Sequence, residues 1–183
     1  MIDADAELMV RFREGDRSAF EQLFHRYTPP LVNFLARMVP ERARAEELAQ
    51  EVFVRIYRAR DRYEPTARFS TFLFGIAHRL ALNELDRAHR RREQALDEAA
   101  AGRLAAAGPQ ADEAYAGKRT AEQVDAALEG LPARQRAALL LRVQEELGYE
   151  EIASILATST SSVKSLLHRA RETLAARLEE EIS

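Results

Sequence analysis

The stretch Tyr149–Arg171 reads YEEIASILATSTSSVKSLLHRAR: a short apolar-patterned segment, a small polar turn and a longer patterned segment. In the first, Ile152, Ala153, Ile155 and Leu156 share one helical face. In the second, Val163, Leu167, Ala170 and Leu174 fall at i, i+4, i+7 and i+11, a narrow inward stripe. The opposite face carries Ser161, Ser165 and His168, flanked by Lys164, Arg169 and Arg171. Ser159, Thr160, Ser161 and Ser162 crowd the start of this helix. Small hydroxyls and free N–H groups there approach phosphates closely, and the helix dipole favours anions. Two readings fit: a helix-turn-helix whose second helix enters duplex DNA, or two helices of an ordinary bundle with a solvated polar face. The stretch is too short to choose between them, so the rest of the chain must.

The 183 residues allow one large or two small domains. With 7 Gly, 6 Pro and abundant Ala, Leu, Arg and Glu, the composition favours helix throughout. The absence of cysteine excludes disulfides, Cys-based zinc sites and thiol nucleophiles. His25, His78, His89 and His168 form no metal-spaced pair, and no phosphate-binding or dinucleotide glycine motif is present. No metal, cofactor or catalytic residue is therefore expected. Without a signal-like start or an apolar run long enough for a bilayer, the expectation is a soluble, cytoplasmic protein with no membrane insertion. Net charge is −3, from 27 Lys/Arg and 30 Asp/Glu, but it divides unevenly: +3 over 1–92, −2 over 93–119 and −4 over 120–183. The acids of the last segment sit before the turn (Glu145, Glu146, Glu150, Glu151) and in the tail, which leaves a local basic face on an acidic body.

Helical periodicity dominates the earlier chain. A first amphipathic segment covers Asp5–Glu14. Asp16 then caps a second, with Phe20, Leu23, Phe24 and Tyr27 on one face. Pro29-Pro30 is expected to break or kink it before Leu31–Val39 resumes. Ala43–Asp61 is a third helix, Arg62–Arg68 a loop at Pro65, and Phe69 to about Arg92 a long fourth helix with Phe72, Leu73, Ile76, Leu80 and Leu85 inward. Glu93–Arg119 holds 10 alanines in 27 residues and one aromatic, too little apolar bulk to offset the entropy of ordering it; it reads as a flexible linker with transient helix. Thr120–Glu129 and Leu131 to about Leu147 are two further helices, the latter burying Leu139, Leu140 and Val143. The expected fold is all-α, two small helical domains (1–92 and 120–183) joined by the 93–119 linker, the second containing the helix-turn-helix.

The segment AEELAQEVFVRIYRARDRYEPTARFSTFLFGIAHRLALNELDRAHRRR, Ala45–Arg92, resembles region 2 of bacterial sigma factors, most closely the extracytoplasmic-function class. LPARQRAALLLRVQEELGYEEIASILATSTSSVKSLLHRAR, from Leu131, resembles region 4 of the same class, and both occur in the family's order. The resemblance implies a dissociable subunit of RNA polymerase, with the first domain melting and holding the minus-ten promoter element and the second binding the minus-thirty-five element as duplex. It also implies core RNA polymerase (its β′ clamp and β flap), promoter DNA and an anti-sigma factor as partners. The competing class is a stand-alone helix-turn-helix regulator, which would bind duplex operator without polymerase.

Site residues follow from the same resemblance. ELAQEVF, docked in the family on the clamp's coiled coil, points to Gln50 and Glu51, with Glu47 and Arg55 as neighbours. These charges lie off the Leu48–Val52–Ile56 stripe, and a solvated helix face is the plain alternative. The minus-ten surface is placed at Arg62, Tyr63, Arg68, Ser70, Thr71 and Phe72, where an aromatic can hold an unstacked base and Arg68 a phosphate. It continues through Arg79, Asn83, Arg87, Arg90, Arg91 and Arg92, the last four also suited to a helix C-terminus. Arg79 stands where the family commonly has Asn, and Leu166 where it commonly has Arg; both departures alter the promoter sequence expected. For the duplex-reading helix the candidates are Ser161, Ser162, Lys164, Ser165, His168, Arg169 and Arg171.

Overall fold

The computed structural model describes residues 2–102 and 116–183, and among these there is helix but no strand. Helices α1 (Ala4–Arg13), α2 (Arg17–Met38), α3 (Arg42–Ala59) and α4 (Phe69–Ala100) form an N-terminal lobe, with a 3-10 turn at Arg60–Arg62. Helices α5 (Ala116–Glu129), α6 (Ala133–Val143), α7 (Tyr149–Leu156) and α8 (Thr160–Ile182) form the C-terminal lobe.

In α2 the sequence expectation fails instructively: Pro29 and Pro30 lie inside one unbroken helix. Two missing backbone donors and ring clashes each disfavour helix by about 3 kcal/mol. Against this, Leu23 before the prolines and Leu31, Phe34, Leu35 and Met38 after them are fully buried. At about 1.5–3 kcal/mol each, their burial outweighs the cost. Asp16 caps the helix as its sequence suggested, its Oδ1 accepting from the N–H groups of Ser18 and Ala19.

Helix α4 is longer than its expected end at Arg92, running eight residues into the Ala-rich segment, and α5 begins at Ala116, before Thr120. Alanine's high helix propensity suffices for the extension. The middle of the expected linker, 103–115, lies outside the described residues. Helix α6 stops at Val143, not Leu147, because Glu146 turns the chain with φ of 53°. Leu147 then folds back, its N–H donating to Leu141 O at 3.2 Å, and fills the core position expected of Val143, which is 64% exposed.

The two lobes share one continuous apolar core. Helix α4 lies between α2 and α3 on one side and α7 on the other. The polar part of this seam centres on Arg136 of α6, which is buried and donates to four carbonyls: Arg37 O (3.2 Å), Met38 O (3.1 Å), Glu129 O (2.9 Å) and Leu131 O (3.1 Å). Arg37 pairs with Asp125 at 3.1 Å, and Arg68 with Glu151 at 3.3 Å. His78 of α4 is also buried, and desolvation first, then the charges of Arg134 from the other lobe and of Arg79, lower its pKa to about 4. Its imidazole is neutral at physiological pH.

Candidate nucleic-acid interface

The helix-turn-helix is built as its sequence directs. Helix α7 ends at Ala157, a non-glycine residue in the left-handed region (φ 51°), and Ser159 caps α8 by accepting from the Ser162 N–H at 3.1 Å. At the other end of α7, Glu151 Oε2 accepts the Gly148 N–H at 2.8 Å; this is half of a capping box, since glycine has no side chain to return the bond. Val163, Leu167 and Ala170 are buried and Leu174 half-buried, so the inward stripe is the expected one. That register leaves Ser161, Lys164, Ser165, His168, Arg169 and Arg171 exposed, and Ser162 and Leu166 half-buried. Ser161, Ser162, Ser165, Leu166 and Arg169 line a groove of about 380 Å³ with Arg134 and Thr158. Arg134 escaped sequence reading because it sits 27 residues before Ser161 on another helix, where its donation to Leu156 O (3.0 Å) brings it to the recognition helix. Lys164 stands 5.7 Å from the Tyr149 ring centroid, a cation–π contact that restrains it, and His168 faces Glu172 at 3.2 Å.

The surface at the start of α4 is different. Tyr63 is only 5% exposed, its ring packed on Phe72 at 5.2 Å and its carbonyl accepting from Arg13 Nη1 at 2.8 Å. Burial pushes its hydroxyl pKa up to about 12. Ser70 and Thr71 are buried and Phe72 half-buried. Of the two roles expected of Tyr63, stacking on a flipped base or walling it, the buried ring suits the wall in this conformation. The loop at Pro65 folds the ring back over Phe72, and an unexpected residue, Asp3, fixes the corner by accepting the Phe69 N–H at 3.1 Å. The hydroxyls of Tyr63, Ser70 and Thr71 and Nδ1 of His78 have no hydrogen-bond partner among the described residues.

Further along α4, Arg79, Asn83, Arg87 and Arg90 fall at i, i+4, i+8 and i+11 and are all exposed, a solvent-facing stripe of three cations and an amide. Arg62 and Arg68 are exposed at the loop, and Arg91 and Arg92 near the stripe's end. These cations come together along one helix; Tyr63, Ser70 and Thr71 do not join their exposed face.

On α3, Glu47, Gln50 and Arg55 are exposed and Glu51 half-buried. Arg55 pairs with Glu51 at 2.7 Å and Arg44 with Glu47 at 2.8 Å. Beside them lies a feature the sequence reading missed, a largely apolar groove of about 320 Å³ lined by Phe20, Phe24, Gln50, Phe53, Val54 and Tyr57. Phe24, Val54 and Tyr57 are 38%, 45% and 44% exposed, a cluster of large apolar side chains that needs explaining on a soluble surface. The signal was available: Val54 and Tyr57 fall outside the Leu48–Val52–Ile56 stripe.

Residues 23–92 match the Sigma-70 region 2 family and residues 121–174 match Sigma-70, region 4. The chain is 36% identical over 169 residues to the RNA polymerase sigma factor CarQ of Myxococcus xanthus, covering 91% of this chain and 92% of that protein. It is 31% identical to the ECF RNA polymerase sigma-E factor of Escherichia coli, covering 93% and 92%. Among solved structures, CnrH in complex with the cytosolic domain of CnrY shares the fold, with a TM-score of 0.73 and 24% identity over 97% of this chain and 99% of that one. RpoE of Bartonella quintana, solved with the anti-sigma factor NepR, gives 0.65 and 24% over 87% and 96%. The chain belongs to the extracytoplasmic-function class of RNA polymerase sigma factors, transcription initiation factors that direct the polymerase to promoters.

Proposed function

We propose that this sigma factor divides promoter recognition between its lobes, and that it does so only after the seam between them opens. The α8 face, with Ser161, Ser162, Lys164, Ser165, His168, Arg169, Arg171 and the newly found Arg134, reads the minus-thirty-five element in the major groove. Hydroxyls at the helix start take phosphates, and Lys164 and Arg169 take base edges. The α4 stripe of Arg79, Asn83, Arg87 and Arg90 tracks the backbone of the minus-ten element, and the pocket behind Tyr63, Ser70 and Thr71 receives an unstacked base. Core polymerase docks on α3 through Glu47, Gln50, Glu51 and Arg55. The apolar Phe24–Val54–Tyr57 groove supplies the buried centre that a charged rim alone lacks.

The observation that carries the proposal is the placement of two exposed cation-bearing faces on separate lobes, with the ring and hydroxyl side chains beside one of them buried. Arg68 is tied to Glu151 of α7, and the hydroxyls of Tyr63, Ser70 and Thr71 are buried at the loop and helix start where the base pocket is expected. An acidic chain can read DNA in this way because specificity needs only a few placed cations while the polymerase supplies the remaining grip. An anti-sigma partner, as in the Bartonella quintana RpoE complex, would act by keeping these faces covered.

The test is transcription in vitro with core polymerase on a genomic promoter library. Start sites enriched over polymerase alone, sharing two spaced motifs, are expected. No enrichment overturns the proposal.

A further inference from the structure

Glu84 occupies a position that its neighbours make apolar: Leu80 and Ile76, one and two turns before it on α4, are core residues, and Glu84 itself is only 3% exposed. A carboxylate so buried is stable only when paired. Here each oxygen has its own guanidinium. Oε2 accepts from Nε of Arg44 on α3 at 3.0 Å, and Oε1 accepts from Nη2 of Arg91, two turns further along α4, at 2.9 Å. Desolvation pushes the Glu84 pKa up, but the two arginines outweigh it and hold the carboxyl below its ordinary value. The Arg91 side chain is nevertheless 65% exposed, so most of its guanidinium faces solvent.

We propose that Glu84 is a positioning residue for promoter binding, holding Arg91 in a fixed orientation from which its outer edge takes a backbone phosphate. The inference rests on the reading that the C-terminal half of α4 contacts promoter DNA. A free surface arginine must give up rotamer entropy to form a two-pronged phosphate contact, and one already pinned by a buried carboxylate has less to lose. Arg44 balances the buried carboxylate from the other side, so that Glu84 does not draw Arg91 inward alone, and the exposed Arg87, Arg90 and Arg92 beside it supply the positive field that attracts phosphate. Arg44 is itself steadied from outside by Glu47, whose Oε2 accepts from Nη1 at 2.8 Å.

The test uses holoenzyme assembled from core polymerase and the full chain, binding a promoter fragment with a pre-melted minus-ten region across a KCl series. Arg91→Ala is expected to lower affinity about fivefold to tenfold and to reduce the salt slope by about one. Glu84→Gln, which keeps the size but removes the charge and one acceptor, should lower affinity about threefold or more with Arg91 present and have no further effect in the Arg91→Ala background. Should Glu84→Gln fail to fold, Glu84→Asp serves instead. It keeps the charge but shortens the side chain, loosening the bond to Arg91, and should lower affinity only when Arg91 is present. Unchanged affinity and slope in Arg91→Ala would overturn the reading that this part of α4 meets DNA. A loss in Arg91→Ala with none in Glu84→Gln (or in its substitute Glu84→Asp), or a loss undiminished in the double variant, would overturn the positioning role alone.

Discussion

Helix α8 presents Ser161, Lys164, Ser165 and Arg169 to solvent around an open groove, whereas the start of α4 turns inward, with Tyr63, Ser70 and Thr71 buried and Arg68 engaged by Glu151. Both surfaces are helix starts rich in hydroxyls and cations. The difference lies in what each must bind. A duplex is read from outside by an exposed helix face, which needs no rearrangement. An unstacked base needs a pocket, and an empty pocket lined by hydroxyls and rings tends to close on itself. On the proposed function, the ready face belongs to the lobe that would inspect double-stranded DNA, and the closed face to the lobe that would handle separated strands.

The seam between the lobes can be broken deliberately. Arg136→Ala leaves four carbonyls, two in each lobe, without their donor, and should lower stability by about 3 kcal/mol in denaturant titration. A loss below about 1 kcal/mol would mean that the lobes are held by the apolar core alone.

Acid should act on the same seam through His78. Its folded pKa of about 4 lies below the unfolded value of 6.5, so between these two the unfolded state binds more protons. The stabilisation is complete above pH 6.5 and is lost as pH falls toward 4; between pH 7 and 5 the loss should be about 2 kcal/mol. His78→Asn should flatten unfolding free energy over that window, and an equally steep variant would place the titration elsewhere.

The open face is sharpened by smaller changes. Lys164→Ala or Arg169→Ala should each weaken use of the upstream promoter element about tenfold while polymerase affinity stays unchanged. Equal loss of polymerase binding would contradict the division between lobes. Smallest of all is Glu151→Gln, which removes the charge facing Arg68 yet keeps an acceptor for the Gly148 N–H. Arg68 is half-exposed, so the change should cost less than about 1 kcal/mol and vanish in high salt.

The same contrast governs what could be read from sequence. The α8 register was legible because Val163, Leu167 and Ala170 repeat at helical spacing and need no knowledge of their partners. The unbroken α2 was not: Pro29-Pro30 is a strong local signal, overruled by burial of Leu31, Phe34 and Leu35 against residues distant in the chain. Val143 was misplaced because a left-handed residue at Glu146 returns Leu147 to the core, and nothing in the local pattern marks that turn. The seam was invisible for a similar reason, since Arg136 reaches carbonyls 98 and 99 residues away. Two signals were present but unused. Arg136 and Glu84 are charges at core-facing positions of otherwise apolar stripes, and such charges are buried only when partnered.

Separation of the lobes on promoter binding is the central claim of the proposed function, and the cysteine-free chain makes it directly measurable. Spin labels on Gln22→Cys of α2 and Ala176→Cys of α8, both exposed, report the inter-lobe distance by pulsed electron resonance. The free protein should give one short distance, and the complex with core polymerase and promoter DNA a single longer one with the short population gone. An unchanged distance in that complex would contradict the account, because Arg68 would then remain paired with Glu151 across a closed seam while transcription starts.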